Sequence, residues 1–249
     1  MANAGTGTLD PSEVAKFSAM AQTWWDAGGP FRPLHKLNPY RIGLIRDEVC
    51  ARFGRDRFAR RPLEGLRVLD VGCGGGLGCE PMARLGAQVV GLDAAAENVA
   101  VARVHAEQAA LAVDYRAGTV EALAASGEPA FDVVLALEIV EHVADVPLFL
   151  SACSGLVAPG GMMALATLNR TALSLLTAKI GAEYVLGWLP RGTHDWSRFV
   201  TPEEAHAGLA TAGLQVTRTA GFTYRPLLDA WRIGDDTRVN YMVFAGRDT

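Results

Sequence analysis

Short apolar runs alternate with amphipathic stretches along most of the chain from Leu66 onward. Apolar runs of about four to eight residues between turn residues predict buried strands, and apolar residues spaced three and four apart predict helices. Residues 98–111 form the clearest helix, because Val99, Ala102 and Ala106 fall on one face. Strands are expected near residues 66–71, 88–93, 113–117, 131–137, 161–167, 215–223 and 239–246.

The order of these elements predicts an α/β fold class. Helices are expected between the first five strands, and repeated strand–helix–strand units give right-handed crossovers and parallel strands. The predicted sheet is therefore doubly wound, mostly parallel and seven-stranded, with helices on both faces. Ligands of such sheets bind outside the carboxyl ends of the strands, so the residues at those ends are the first candidates for a site.

The N-terminal region carries its own helix signals. Asp10 is a suitable N-cap, Pro11 suits the first helical position, and Glu13 completes a capping box. These signals predict a helix from Pro11 to about Trp24. The preceding residues 1–10 are small and polar, and they are expected to be disordered.

Glycines and prolines in residues 26–39 predict an irregular connection before a second helix over residues 40–53. Bulky apolar side chains in this connection leave two interpretations open, a rim over a pocket or an ordinary surface connection. Arg41, in the first turn of the second helix, could reach such a pocket. Residues 11–249 are expected to form one domain.

The first strand ends in a glycine cluster. Asp70, Gly72, Gly74 and Gly76 alternate along the chain, and Asp93 ends the second strand 21 positions after Gly72. The dinucleotide-binding fingerprint can be aligned on these glycines in two ways, and its third glycine is missing in both. The pattern looks like the first motif of class I S-adenosylmethionine-dependent methyltransferases, whose acid binds the ribose hydroxyls. A structural glycine turn in another α/β protein is the alternative.

Three polar residues follow the fourth predicted strand. Glu138, Glu141 and His142 place two carboxylates and an imidazole within five residues, a set that suits magnesium, calcium or manganese. A cation there would lower the pKa of a hydroxyl group that binds to it. Two alternatives stay open: His142 as a general base without metal, or a structural role for Glu141 and His142 at a helix start.

Composition narrows the function classes. The chain has 249 residues, of which 50% are hydrophobic and 20% charged, and its formal net charge of −4 without any basic run argues against nucleic-acid binding. The four cysteines match no zinc-binding spacing, so free thiols in a reducing compartment are expected. Neither a secretory signal nor a membrane-spanning run is expected.

Residues 169–200 interrupt the regular alternation after the fifth strand. They precede a helix that should start at Thr201, with Glu204 completing a capping box. Most side chains between 169 and 190 are apolar. This insertion is either a helix that covers the edge of the sheet, or a hydrophobic wall for an apolar substrate or an interfacial membrane contact.

Longer motifs carry a more specific resemblance. They are Lys16-Phe17, Trp24-Trp25-Asp26, Pro33-Leu34-His35, Asn38-Pro39-Tyr40-Arg41, Leu69 to Gly76, Gly91-Leu92-Asp93, Glu138-Ile139-Val140-Glu141-His142, Thr167-Leu168-Asn169-Arg170, Gly181-Ala182-Glu183-Tyr184, Gly192-Thr193-His194-Asp195 and Asp236 to Met242. In these motifs, over residues 13–246, the chain resembles the ubiquinone-biosynthesis O-methyltransferases. That family has the Rossmann-like class I methyltransferase fold and methylates ring hydroxyls of polyprenylated catechols and hydroxyquinols.

The resemblance implies S-adenosylmethionine as the cofactor. The positions that match the family's cofactor contacts are Arg41, Gly72, Gly74, Asp93 and Leu137. Arg41 would pair with the carboxylate of the cofactor, a role that suits a bidentate guanidinium. Relatives can carry methionine where Leu137 stands, and a leucine can also pack on an adenine face.

The resemblance also implies dependence on a divalent cation, which supports the cation site. The expected ion is magnesium, and the expected metal ligands and catalytic groups are Glu138, Glu141 and His142. Substrate contacts are expected from four further residues, namely His35, Tyr184, Trp188 and His194.

The resemblance further implies a polyprenyl phenol or catechol substrate and contact with other enzymes of ubiquinone biosynthesis. It favours a cytoplasmic protein that associates peripherally with the inner membrane through residues 169–190. Two other functions stay open, a methyltransferase for another lipophilic phenol or a nitrogen acceptor, and an inactive module that binds cofactor or lipid.

Overall fold

A computed structural model of the chain describes residues 7–177, 195–225 and 228–249. Its strands are β1 (Arg67–Val71), β2 (Gln88–Asp93), β3 (Val113–Ala117), β4 (Phe131–Leu137), β5 (Val157–Leu168), β6 (Gln215–Arg225), β7 (Ala230–Gly234) and β8 (Asn240–Gly246). They form one eight-stranded sheet with the spatial order β3-β2-β1-β4-β5-β8-β6-β7. The first five strands pair in parallel, whereas β8 is antiparallel to β5 and β6, and β7 is antiparallel to β6.

The helices lie between and before these strands. They are α1 (Pro11–Ala19), α2 (Arg32–Arg52), α3 (Cys79–Arg84), α4 (Ala96–Gln108), α5 (Val120–Ala125), α6 (Val146–Gly155), α7 (Ala172–Ser174) and α8 (Pro202–Thr211). Short 3-10 helices cover Ala21–Thr23, Val140–His142 and Trp196–Arg198. Within the described residues, no helix combines the length and the apolar character that a bilayer crossing requires.

Both faces of the sheet are covered, as the alternation of elements predicts. Because neighbouring strand residues point to opposite faces, Val68 packs with Ile45 of α2 in one core layer, whereas Leu69 packs with Phe149 of α6 in the other. The doubly wound α/β fold is therefore confirmed. It brings the carboxyl ends of β1, β2 and β4 to one edge of the sheet.

The predicted strand count was wrong by one. Residues 230–234 form the edge strand β7, and Trp231 lies opposite Tyr224 of β6. This strand was missed because its five residues are too few to show a clear alternation of apolar and polar positions.

The start of α2 also differs from the sequence prediction. The helix begins at Arg32, so the expected irregular connection over residues 26–39 ends eight residues early. Pro33 lies in the first turn, where its missing N–H has no partner within the helix. Pro39 does interrupt the hydrogen bonding, but Leu37 and Leu44 on either side are buried against the sheet.

The N-terminal helix starts as predicted and ends early. Asp10 accepts a hydrogen bond from the backbone N–H of Ser12 at 3.0 Å, but α1 ends at Ala19 instead of Trp24. Glu13 does not complete a capping box, because its side chain turns to His142. Thr8, within the segment predicted to be disordered, is buried, and its carbonyl accepts a hydrogen bond from the Ala144 N–H.

The insertion after β5 is described only at its ends. Thr171 caps α7, and the capping box that was predicted at Thr201 and Glu204 is present at the start of α8. Residues 178–194 lie outside the described residues. The predictions for Tyr184, Trp188 and His194 therefore stay predictions.

Candidate active site

A cavity of about 850 Å³ lies where β1, β2 and β4 end. All five predicted cofactor residues line it, namely Arg41, Gly72, Gly74, Asp93 and Leu137. Its other walls come from the N-terminal segment, defined here as residues 7–31, and from β6, β7 and the start of the insertion. The sequence therefore predicted the sheet edge of the site, and the structure adds the walls that cover it.

The glycine loop, residues 72–76, shows why small residues are required there. Gly72, Gly74 and Gly76 have φ values of 72°, 53° and 92°, a region that other residues seldom adopt. A Cβ atom added at Gly74 would lie 2.4 Å from the ring of Trp24. These glycines therefore allow the close approach of a tryptophan as well as the sharp turn of the backbone.

Asp93 ties the glycine loop to α4. Its Oδ2 accepts a hydrogen bond from the Gly74 N–H at 2.8 Å, and its Oδ1 accepts from the Ala95 N–H and the Asn98 Nδ2. Burial raises the pKa of this carboxyl. A carboxylate has about four acceptor positions, so Asp93 keeps capacity for a ligand hydroxyl in the cavity that it lines.

Arg41 is a buried cation among acidic groups. Only 4% of the residue is exposed, and its Nη1 donates to Glu138 Oε1 at 3.3 Å while its Nη2 donates to Asn38 Oδ1 at 3.1 Å. Burial lowers the pKa of this guanidinium, and the carboxyls of Glu138 and Asp70 raise it. The buried Nε has no hydrogen-bond partner. An unsatisfied donor on a buried cation fits a ligand carboxylate, so the residues present suit S-adenosylmethionine.

The three residues predicted to bind a cation turn toward three different partners. His142 Nδ1 lies 2.7 Å from Glu13 Oε2, and Glu138 pairs with Arg41. Glu141 is buried and accepts a hydrogen bond from Thr167 Oγ1 at 2.8 Å, and it is not part of the cavity wall.

No group of three histidine, cysteine, aspartate or glutamate side chains in the described residues could hold a metal ion. The backbone explains why the expected set is not formed. Glu138 has a φ of 54°, and the 3-10 helix Val140–His142 follows. The carboxyls of Glu138 and Glu141 lie side by side and Glu138 pairs with Arg41, but His142 turns away to Glu13, so the three side chains do not converge on one point. The prediction of a cation site on Glu138, Glu141 and His142 is therefore not supported by this arrangement, which does not fit a divalent ion.

A carboxylate and an imidazole meet in the cavity wall instead. Glu13 of α1 and His142 after β4 both line the cavity, and the edge of the His142 ring contacts Phe17 at a centroid distance of 5.0 Å. The hydrogen bond to His142 lowers the pKa of Glu13. Glu13 was missed as a residue of the cavity wall because its spacing from Asp10 suggested a helix cap, and no sequence pattern links it to a residue 129 positions away.

His35 lies outside the cavity wall. Its Nε2 is 2.8 Å from the carbonyl oxygen of Trp24, and its ring is edge-on to Trp25. In this position His35 holds the backbone of the N-terminal segment and is not part of the cavity wall, so the expected substrate contact is not supported.

Aromatic side chains of the last strands form a further part of the cavity wall. Phe222 and Tyr224 of β6 and Trp231 of β7 line the cavity, and the rings of Tyr224 and Trp231 lie 5.3 Å apart. Leu173 and Leu176 continue this apolar surface into the insertion. The wall suits an aromatic ring that bears an apolar chain.

Comparison with known proteins places the chain in a family. The methyltransferase domain model matches residues 69–165, from within β1 to within β5. The ubiquinone biosynthesis O-methyltransferase of Chelativorans sp. strain BNC1 is 55% identical over 249 residues, which is 100% of this chain and 98% of that protein. The protein of that name from Brucella anthropi is 58% identical over 96% of each chain.

Solved structures show the same fold. Magnesium protoporphyrin IX methyltransferase from Synechocystis PCC 6803 with bound S-adenosylmethionine covers 98% of this chain and 100% of its own, with a TM-score of 0.61 and 16% identity. The identities and coverage of the sequence relatives are far above those needed for a shared family. The chain belongs to the ubiquinone biosynthesis O-methyltransferases, a family of class I S-adenosylmethionine-dependent enzymes.

Proposed function

We propose that this protein transfers a methyl group from S-adenosylmethionine to a ring hydroxyl of polyprenylated phenol or catechol intermediates in ubiquinone biosynthesis. The observation that carries the proposal is one cavity in which the five cofactor candidates face an aromatic and apolar wall. The names of the relatives at 55–58% identity support the same reaction.

The chain must position the acceptor and remove its proton. S-adenosylmethionine supplies a methyl group that is already activated on a sulfonium sulfur. Holding the acceptor oxygen in place can contribute about 7–11 kcal/mol toward lowering the barrier. A free phenol has a pKa of about 10, so few molecules are ionised at neutral pH and a proton acceptor increases the rate.

His142 is the proton acceptor in this proposal. With Nδ1 donating its hydrogen to the Glu13 carboxylate at 2.7 Å, the imidazole is held in the tautomer whose Nε2 is basic. Nε2 then takes the phenolic proton, and the carboxylate of Glu13 stabilises the imidazolium that forms. Both residues line the cavity in which the acceptor would lie.

The family resemblance also implies a divalent cation, but no step is assigned to one. Glu138 pairs with Arg41 and His142 turns to Glu13, so the three side chains do not form one ligand set, and the phenolic proton is assigned to His142. The rate of methyl transfer is therefore expected to be the same with magnesium and with a chelator.

Preference for a prenylated acceptor tests the substrate class. Each buried methylene group contributes about 0.8 kcal/mol, so one prenyl unit on a catechol should raise kcat/KM at least tenfold over unsubstituted catechol. Equal kcat/KM values for the two acceptors would contradict the polyprenyl assignment and favour a methyltransferase for other phenols.

Contact with membrane lipid through residues 169–190 is a further part of the proposal. Leu176 is 59% exposed and also lines the cavity, so an apolar surface continues from the site to the outside of the protein. Leu176→Asp should lower co-sedimentation with liposomes of anionic lipid. Unchanged co-sedimentation would show that this end of the insertion does not contact lipid.

A further inference from the structure

Trp25, His105 and Glu80 form a connected set outside the cavity. The indole of Trp25 stacks on the imidazole of His105, with ring centroids 3.4 Å apart and planes 3° apart. His105 Nδ1 lies 2.5 Å from Oε1 of Glu80, which is 2% exposed. None of the three residues lines the cavity.

Both ends of this set attach to the glycine loop. Trp25 Nε1 donates to the carbonyl oxygen of Gly75 at 2.9 Å. At the other end, the backbone N–H of Glu80 donates to the carbonyl oxygen of Gly76 at 3.1 Å. The contacts of Trp25, His105 and Glu80 therefore begin at Gly75 and end at Gly76, two neighbouring residues of the same loop.

The loop needs such support because of its composition. Three of its five residues are glycines with φ between 53° and 92°, and glycine loses more conformational freedom on ordering than any other residue. The Gly74 N–H is held by Asp93, whereas the Gly75 carbonyl is held by Trp25. Without Trp25, the loop would lose the bond that fixes the peptide between Gly75 and Gly76.

Helix α4 connects this set to the cavity. Asn98 and His105 lie seven residues apart on α4, which places them on the same face. Asn98 Oδ1 accepts from Trp24 Nε1 at 2.8 Å, and its Nδ2 donates to Asp93. One face of α4 therefore receives both tryptophans, Trp24 on the cavity side and Trp25 behind the loop.

We infer that Trp25, His105 and Glu80 are positioning residues that hold the glycine loop in the conformation that binds S-adenosylmethionine. This inference rests on the proposed function only in the identity of the cofactor. The set acts on cofactor affinity and not on the acceptor, because its contacts reach the glycine loop and none of the aromatic wall.

Trp25→Phe tests the inference, since it keeps an aromatic ring for stacking and removes the N–H. The net stabilisation from one hydrogen bond of ordinary strength corresponds to about a fivefold change in affinity. The Kd for S-adenosylhomocysteine and the KM for S-adenosylmethionine should rise about fivefold. The KM for a prenylated catechol and the kcat at saturating cofactor should not change.

Trp196→Phe is the matched control. Its indole N–H donates to the Thr171 carbonyl at 2.9 Å, away from the glycine loop, so its removal should leave the Kd for S-adenosylhomocysteine unchanged. Glu80→Gln is a second test, which keeps a partner for His105 and removes the charge. It should also weaken S-adenosylhomocysteine binding and speed amide hydrogen exchange in residues 72–76.

Wild-type affinity in both Trp25→Phe and Glu80→Gln would overturn the inference, even if the melting temperature fell, because the set would then stabilise only the fold. The proposed function fails in a different way. Binding of S-adenosylhomocysteine that responds to these variants, without methyl transfer to any phenol, would keep the inference and reject the reaction.

Discussion

At the scale of single residues, buried ionisable groups determine the properties of the site. Arg41 is buried beside the carboxyls of Asp70 and Glu138, which raise the pKa of its guanidinium against the lowering effect of burial. Asp70 was recognisable only as part of a glycine motif. Its burial and its contact with the Cys79 thiol at 3.3 Å follow from packing against α3, which the sequence pattern does not specify.

Asp70 should make the stability of the protein depend on pH. Burial raises its pKa from 3.8 to about 6. The folded protein holds this proton more tightly than the unfolded chain, so the contribution of Asp70 to stability is complete below pH 3.8 and is lost as the pH rises toward 6.

Replacement by asparagine should remove this dependence. The difference between the folded and unfolded pKa values corresponds to about 3 kcal/mol. As the pH rises from 4 to 7, the free energy of unfolding of Asp70→Asn should therefore increase by about that much relative to wild type. Denaturant unfolding of both proteins at several pH values measures the difference. A constant difference across the range would show that Asp70 does not titrate in this way.

The pair of Glu13 and His142 leads to a prediction about catalysis. Glu13→Gln keeps a hydrogen-bond partner for His142 and removes the charge that stabilises the imidazolium, whereas His142→Gln removes the proton acceptor. We expect kcat to fall about tenfold in Glu13→Gln and at least a hundredfold in His142→Gln.

The affinity for S-adenosylhomocysteine separates this role from a structural one. It should stay at the wild-type value in both variants, because the two side chains pair with each other, and Glu13 also pairs with Lys16 and His142 with the ring of Phe17. Full methyl transfer by His142→Gln would contradict the assignment of the base.

At the scale of elements, local sequence patterns predicted the strands that carry the site. Strands β1 to β4 end within one residue of their predicted positions, because continuous apolar runs and glycine turns mark their ends. The start of α2 and the strand β7 were missed. Burial of Leu37 and Leu44 stabilises a helix despite Pro39, and β7 forms because β6 offers it a partner.

The glycine loop gives a prediction at this scale. Gly74 and Gly127 both have positive φ values, 53° and 76°, but a Cβ atom at Gly74 would meet Trp24 whereas one at Gly127 would meet nothing within 4 Å. Both alanine substitutions should strain the backbone by about 1–2 kcal/mol.

Only Gly74→Ala should also displace Trp24 and abolish binding of S-adenosylhomocysteine. Isothermal titration of the two variants measures this difference. Equal affinities would show that crowding against Trp24 has no effect on the cofactor site.

At the scale of the whole molecule, the sequence was enough to predict the fold. It was not enough to predict which distant segments cover the site. Alternating strands and helices specify a doubly wound sheet and the edge at which a ligand binds. They do not specify which distant side chains meet there. Glu13 with His142 and Trp25 with Gly75 are joined across 129 and 50 positions, and one sequence contains no periodic signal at such separations.

These distant contacts attach the N-terminal segment to the wall of the cavity. Residues from Thr8 to Phe31 line the cavity beside the glycine loop, and Asp10 pairs with Arg198 at 2.6 Å. The segment therefore connects the cofactor edge of the sheet to the C-terminal end of the insertion. This arrangement brings Glu13 and Trp24 of the segment into the same cavity wall as His142.

The most direct test is the transfer of a labelled methyl group from S-adenosylmethionine to a short-chain prenylated catechol in the presence of a chelator. We predict label on a ring oxygen at the rate seen with magnesium, because His142 and Glu13 supply the proton acceptor. Transfer only after magnesium is restored would contradict the assigned base. No transfer under either condition, with S-adenosylhomocysteine still bound, would contradict the reaction itself.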